Sequence, residues 1–223
     1  MITPVTFAFL KAVKENNNVQ RMHSNKDLYI MVRDNFWEFG TQLIETTRKL
    51  DKNIWPLAIK DATFRFNKDI RFTKDKSPYK TNFGLIICDG GKHSNTPGYY
   101  VDIEPSKSFI WGGLYLPPRA TADRVRNYIA KNYKQLEKII STPAFKKTFG
   151  TLMGEKYMKV PKQFDANHKA GERLKMKSRY IGHNLKDKDV LNKDFDKYCL
   201  SIFKILKPLN DFLNEWVNYF PVK

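Results

Sequence analysis

The spacing of hydrophobic and polar residues follows a helical period from the N-terminus to about residue 50. Thr3-Pro4 is a helix-start signal, and the run of asparagines at 16–18 ends the first helix. A longer helix is predicted from near Asn25 to near Leu50, because apolar residues recur there on one face. That apolar stripe consists of Leu28, Val32, Phe36, Phe39 and Leu43. We therefore expect N-terminal helices over about residues 4–50.

The period changes between about residues 60 and 116, where apolar and polar residues alternate or form short apolar runs. Such runs, bounded by turn residues, are typical of β-strands. The predicted strands are residues 63–66, 83–88, 99–103 and 108–114. Turns are predicted at 89–92 and 104–107. Because short turns join short strands, the pattern favours an antiparallel meander over parallel βαβ units.

The helical period returns after Pro117-Pro118 and makes residues from about 120 to 220 mostly helical. Residues 150–185 are irregular, with a strand predicted at 178–181. In the last helix Pro208 is expected to kink or split the chain. The order of helices, strands and helices predicts one α+β domain, in which N-terminal and C-terminal helices pack a central antiparallel sheet.

Composition supports a folded chain inside the cell. The 223 residues are 41% hydrophobic and 14% aromatic, which is enough for a core. We expect no membrane partner, since no apolar run approaches the roughly 18 residues of a membrane helix. The N-terminus lacks the features of a secretory signal, and Cys88 and Cys199 form neither a disulfide framework nor a zinc spacing. A cytoplasmic location with free thiols is predicted.

The net charge of +17 has two interpretations. A basic surface attracts nucleic acid or phosphorylated ligands. However, lysine far outnumbers arginine, the residue favoured for reading guanine, and the lysines are spread along the chain. We therefore favour a solvated lysine-rich surface over a dedicated nucleic-acid face.

Residues 65–80 bring cations, carboxylates and aromatic rings closer together than any other segment. The candidate binding residues there are Arg65, Lys68, Asp69, Arg71, Lys76, Tyr79 and Lys80. Two guanidinium groups and neighbouring ammonium groups can hold a phosphate or a carboxylate. Alternatively, Asp69 and Glu104 pair with Arg65 and Arg71 to lock a strand corner.

A second candidate block is Tyr100, Asp102, Glu104 and Trp111. Asp102 and Glu104 point to the same face of a strand, because side chains repeat every second residue. Two such carboxylates can hold a divalent cation, but with so many cations nearby we favour ion pairs and expect no metal. Tyr100 is a candidate for reaching the site, and Trp111 is expected to belong to the core.

Several sequence-defined classes of enzyme are excluded. The chain contains no G-x-x-x-x-G-K-[ST], no G-x-G-x-x-G, no G-x-S-x-G and no H-E-x-x-H motif. We therefore expect no cofactor, and whether the protein is an enzyme stays open.

The cationic segment resembles the domain of unknown function 2461 family, whose signature is roughly R-x-x-R-D-x-R-F-x-x-x-K-x-x-Y. Residues 98–118, GYYVDIEPSKSFIWGGLYLPP, and the KVPKQFD segment from Lys159 are also similar to this family. The chain has Lys68 where the family usually has arginine. The resemblance implies an intracellular protein of about this length and no established reaction.

Our hypothesis is the binding, with or without turnover, of a small anionic ligand that carries a phosphate or carboxylate. Its site is a cationic cleft built around residues 65–79 and 98–118. One alternative is a nucleic-acid-binding accessory protein without catalysis. Another is an interaction scaffold with a purely structural ion-pair motif. Its exposed apolar patch would come from Trp216, Tyr219 and Phe220, for which we favour core packing. The oligomeric state stays open.

Overall fold

The computed structural model describes residues 1–219. Its helices are α1 (Pro4–Glu15), α2 (Val19–Ser24), α3 (Lys26–Leu50), α4 (Ile59–Ala62), α5 (Arg119–Ile140), α6 (Pro143–Phe149), α7 (Gly171–Leu174), α8 (Asp187–Val190) and α9 (Phe195–Tyr219). Its strands are β1 (Phe83–Ile87), β2 (Gly98–Ile103), β3 (Phe109–Leu114) and β4 (Arg179–Asn184). They form one antiparallel sheet in the order β1-β2-β3-β4. The predicted α+β class, with one antiparallel sheet flanked by helices, is confirmed.

The chain divides into two compact units. The first comprises Met1–His93, Tyr100–Ile110 and Asn184–Ser201. Of the described residues, the second comprises Ser94–Tyr99, Trp111–His183 and 202–219.

The first unit is built on α1, α3 and β1. The Thr3 hydroxyl accepts a hydrogen bond from the Thr6 backbone N–H at 3.3 Å, and Pro4 occupies the first turn, so α1 begins where the sequence predicts. The apolar stripe of α3 packs against β1, with the Phe36 and Phe83 rings stacked 5.1 Å apart. Burial of such rings stabilises this unit by removing apolar surface from water.

In the second unit, α9 packs closely against the sheet. A side chain at Gly112 would put its Cβ 2.0 Å from a methyl carbon of Leu206, so glycine is required for this approach. The amide of Asn210 donates to the Gly98 carbonyl at 3.1 Å, and the rings of Tyr99 and Phe203 lie 4.6 Å apart. These contacts fix the register of the helix on the strands.

Two arginines are fully buried in the second unit. Arg126 donates to the Leu174 and Met176 carbonyls at 3.0 Å each and pairs with Asp123 at 2.5 Å. Arg179 donates to the Arg173 carbonyl at 3.0 Å, while its Nε and Nη1 have no hydrogen-bond partner among residues 1–219. Burial, reinforced by the charge of Arg126, lowers the pKa of Arg179 to about 9.

Local details differ from the sequence predictions. Residues 63–66 do not form a strand: Thr63 makes one isolated bridge with Leu85. Further along the chain, Asn67 and Tyr79 form a second isolated bridge, in which the Lys68 N–H donates to the Pro78 carbonyl and the Lys80 N–H donates to the Phe66 carbonyl. The helix α9 is not split at Pro208, since buried Leu206 and Leu209 hold it on both sides of the proline.

Candidate functional site

One face of the first unit carries polar side chains around a glycine. Because side chains alternate along an extended chain, Lys80, Asn82 and Gly84 share a face. Tyr100 and Asp102 on β2 meet them from the neighbouring strand. The Asn82 amide donates to Asp102, and the Tyr100 hydroxyl lies directly over Gly84.

This face is the floor of an open cleft of about 450 Å³. The residues that line it are Phe64, Lys68, Asp75, Ser77, Tyr79, Lys80, Thr81, Asn82, Gly84 and Tyr100. Its volume lies within the range of small-molecule sites, roughly 300–1,000 Å³. Aromatic rings, two ammonium groups and several hydroxyl and amide groups therefore face the same space.

Asp102 is a buried carboxyl beneath the cleft, 3% exposed. It accepts hydrogen bonds from the Asn82 amide and, at 2.8 Å, from the Tyr100 hydroxyl. Burial raises the pKa of Asp102 to about 6; the two hydrogen bonds and the charge of Lys80 oppose that rise. The carboxyl therefore changes charge just below neutral pH.

The absence of a side chain at Gly84 makes room for the Tyr100 hydroxyl. A Cβ at Gly84 would lie 2.3 Å from the Tyr100 oxygen, closer than real contacts allow. Burial, followed by the negative charge of Asp102, raises the pKa of Tyr100. Tyr100 is thus a neutral donor held between the cleft and the buried carboxyl.

Lys80 provides the free cation of the cleft. It is half-buried, and its Nζ lies 5.4 Å from the centre of the Phe64 ring. No hydrogen bond or ion pair engages Nζ within residues 1–219. Burial and then the charge of Arg65 lower the pKa of Lys80, while Asp102 partly compensates.

The other ammonium group in the cleft, that of Lys68, is already paired. It forms an ion pair with Asp75, another lining residue. The Lys68 ammonium, together with the Ser77 backbone N–H, lowers the pKa of Asp75 to about 2. The positive charge of Lys68 is therefore largely offset.

The remaining cations of the segment are outside the cleft lining. Arg71 donates to both oxygens of Asp69, at 3.0 and 2.7 Å, and its side chain is 73% exposed. This pair holds the pKa of Asp69 well below its usual range. Lys76 donates to the Ile70 carbonyl at 2.9 Å, and Arg65 is exposed. The segment thus contains two ion pairs, Lys68–Asp75 and Arg71–Asp69, and Lys80 is a cleft-lining cation that belongs to neither.

Tyr79 is held by an asparagine of the N-terminal run. The Asn17 side chain donates to the Tyr79 carbonyl at 2.9 Å and accepts from the Tyr79 N–H at 3.1 Å. The Tyr79 ring stacks on Phe66 at 6.0 Å. These contacts anchor the chain immediately before Lys80.

Glu104 and Trp111 have other partners. Half-buried Glu104 accepts from the Thr81 hydroxyl at 2.9 Å. The expected ion pairs of Asp102 and Glu104 with the arginines are not among those of residues 1–219. Trp111 lies in the second unit, 5.2 Å from the Tyr180 ring and 6.0 Å from the Tyr115 ring.

Residues 1–219 contain neither a metal-binding cluster nor a membrane-spanning helix. No group of three or more His, Cys, Asp or Glu side chains is arranged to hold a metal ion there. None of the helices in this range combines the length and apolar character needed to cross a membrane. Trp216 is buried, in agreement with the core packing favoured for it over an exposed patch; Phe220 and the Tyr219 side chain lie outside the described part.

Comparison with protein families gives a match over residues 5–212 to the family described as "Conserved hypothetical protein (DUF2461)". The chain belongs to the DUF2461 family. Neither the curated proteins nor the solved structures gave a match. The resemblance seen in the cationic segment is therefore confirmed.

In this DUF2461 protein, sequence reasoning missed the residues that shape the cleft. Phe64, Asn82 and Gly84 lie just beside or just outside the signature. Counting alternate residues from Lys80 would have found Asn82 and Gly84, but their partners on β2 depend on the strand register. The ligand-binding roles of all these residues stay predictions.

Proposed function

We propose that this cleft binds a small organic anion that carries a phosphate or carboxylate group. The observation that carries the proposal is Lys80, a half-buried lysine on the wall of the cleft whose ammonium makes no hydrogen bond or ion pair within residues 1–219. A buried charge without a partner is costly, and an anionic ligand relieves that cost. Arg65 adds positive potential nearby, because its charge acts on Lys80.

The rest of the cleft suits the organic part of such a ligand. Phe64, Tyr79 and Tyr100 provide aromatic surface, and the Ser77 and Thr81 side chains line the same space. Ligand sites commonly combine apolar walls with a few polar groups that fix orientation. Lys80 supplies the charge, while the rings supply contact area.

The experiment is a thermal-shift screen at one fixed ionic strength with sulfate, phosphate, nucleotides, sugar phosphates and small carboxylates. A ligand at about 100 times its dissociation constant adds about 2.7 kcal/mol, or roughly 5–10 °C for a chain of this size. We expect the shift to vanish in Lys80→Met. It should persist in the matched control Lys74→Met, since Lys74 is exposed in the same segment. Equal loss in both variants would overturn the proposal.

The pH dependence of sulfate binding provides a second test. When Asp102 gains a proton below about pH 6, the cleft loses a negative charge. Sulfate keeps its charge in this range, so its affinity should rise from pH 7 to pH 5 and should be flatter in Asp102→Asn. An affinity that falls with acidification would contradict the role given to Lys80 and Asp102.

A second candidate, nucleic-acid binding without catalysis, is supported by Phe72. This ring is 94% exposed, and the Arg71 guanidinium lies 5.5 Å from its centre. Exposed rings among cations serve as stacking platforms for bases. This candidate predicts oligonucleotide binding that weakens steeply with salt and is lost in Phe72→Ala but retained in Lys80→Met.

A further inference from the structure

We propose that Lys80 is a nucleophile that forms an imine with an aldehyde or 2-oxo acid bearing a carboxylate or phosphate. This inference rests on the proposed anion site and names the chemical class of its substrate. The observations behind it are the free Nζ, the Phe64 ring beside it, and the Tyr100 hydroxyl, which lines the same cleft and donates to the buried Asp102 carboxyl.

The surroundings of Lys80 raise the fraction of neutral amine relative to that of an exposed lysine. An amine attacks a carbonyl only without its extra proton, and lysines become nucleophilic when buried or placed near another cation. Both conditions hold here, because burial and the charge of Arg65 lower the pKa of Lys80. Lys68, in contrast, is held in an ion pair with Asp75.

Tyr100 and Asp102 can handle the protons of the reaction. The amine nitrogen attacks the carbonyl carbon, the C–N bond forms and the C=O π bond breaks. The nitrogen loses one proton and the former carbonyl oxygen gains one, which gives a neutral carbinolamine. That hydroxyl then leaves as water after a second proton arrives, and the C=N bond forms. The Tyr100 hydroxyl lines the cleft and donates to Asp102, so it can pass protons between the cleft and this carboxyl.

The substrate is expected to carry an anionic group because the imine on Lys80 stays positively charged. The protonated imine keeps the positive charge of Lys80, so it can still pair with a carboxylate or phosphate on the substrate.

Because Asp102 has a pKa of about 6, it can both give and accept a proton near neutral pH. Asp102 acts through Tyr100 and is a positioning residue rather than a catalytic one.

The test is reductive trapping with limiting glyoxylate and cyanoborohydride, followed by peptide mapping of the modified lysines. We expect Lys80 to be labelled first, at an initial rate several times that of the exposed Lys74. Excess sulfate should protect Lys80 and leave Lys74 unchanged. Labelling with acetaldehyde, which lacks the anionic group, should show no preference for Lys80 over Lys74. Labelling of Lys80 no faster than Lys74 would overturn the inference.

Variants separate the covalent step from binding. Lys80→Arg keeps the charge but cannot form this imine, so it should still bind sulfate and should lose the selective label. Tyr100→Phe should slow labelling, and Asp102→Asn should flatten its pH profile between about pH 5 and pH 7. If the wild-type protein binds sulfate but Lys80 is not selectively trapped, the proposal that Lys80 forms an imine is refuted, and the proposal that the cleft binds anions is retained. If sulfate does not bind at all, the proposed function fails with it.

Discussion

Replacing Asp102 with asparagine should change how the stability of the protein depends on pH. Burial raises the pKa of this carboxyl from 3.8 to about 6 in the folded state. A difference of roughly two pKa units corresponds to about 3 kcal/mol. Because the folded protein holds the proton more tightly than the unfolded chain, this contribution is fully present below about pH 4. It is lost as the pH rises to about 6.

Urea unfolding of wild type and Asp102→Asn from about pH 4 to pH 7 measures this contribution. The asparagine side chain has no titrating proton, yet its carbonyl oxygen can still accept from Tyr100 and Asn82. The free energy of unfolding of the variant minus that of wild type should therefore grow by about 3 kcal/mol across the range. A difference that stays constant with pH would refute the raised pKa.

Tyr100→Phe is the matched variant for the same experiment. It keeps the ring and removes the hydroxyl that donates to ionised Asp102. Since that hydrogen bond opposes the rise in the pKa of Asp102, its loss should push the pKa higher and steepen the fall in stability. An unchanged slope would mean that the hydrogen bond does not stabilise the charged carboxyl.

Three further predictions concern stability and are measured by urea unfolding. Gly84→Ala should cost about 1–3 kcal/mol, because its Cβ would displace the Tyr100 hydroxyl; an unchanged midpoint would contradict this close approach. Arg179→Met should stabilise the protein by about 1–4 kcal/mol, because it removes a buried charge with two unpartnered nitrogens; marked destabilisation would show that the charge is satisfied. Asn17→Ala should cost about 1–3 kcal/mol, since it removes both hydrogen bonds to the Tyr79 backbone; a neutral effect would show that this anchor is dispensable.

Local sequence rules predicted the elements whose signals lie within one segment. Thr3-Pro4 marks the start of α1, and the apolar stripe on α3 is buried at Val32, Phe36, Phe39 and Leu43, while Leu28 is half-buried. The isolated bridge at Thr63 was not predictable in this way, because pairing depends on which distant strand is available. Pro208 shows the opposite case: proline usually breaks a helix, but burial of its neighbours keeps α9 continuous.

The sequence indicated which segments of the chain line the cleft, but not how their charged side chains pair. Lys80 and Tyr100 were both selected from the sequence and both line the cleft. The sequence left open how the cations divide between carboxylates. Arg71 pairs with Asp69 two residues away, and Lys68 pairs with Asp75, which leaves Lys80 free. Which cation pairs with which carboxylate depends on the path of the chain through this segment, and residue types alone do not specify that path.

The central claim is that Lys80 makes the cleft an anion site. Calorimetric titration of sulfate at fixed ionic strength tests it most directly, with wild type, Lys80→Met, Lys80→Arg and Lys74→Met compared. Saturable binding of one sulfate per chain is predicted for wild type, Lys80→Arg and Lys74→Met, and no binding for Lys80→Met. Equal binding by wild type and a folded Lys80→Met would contradict the account.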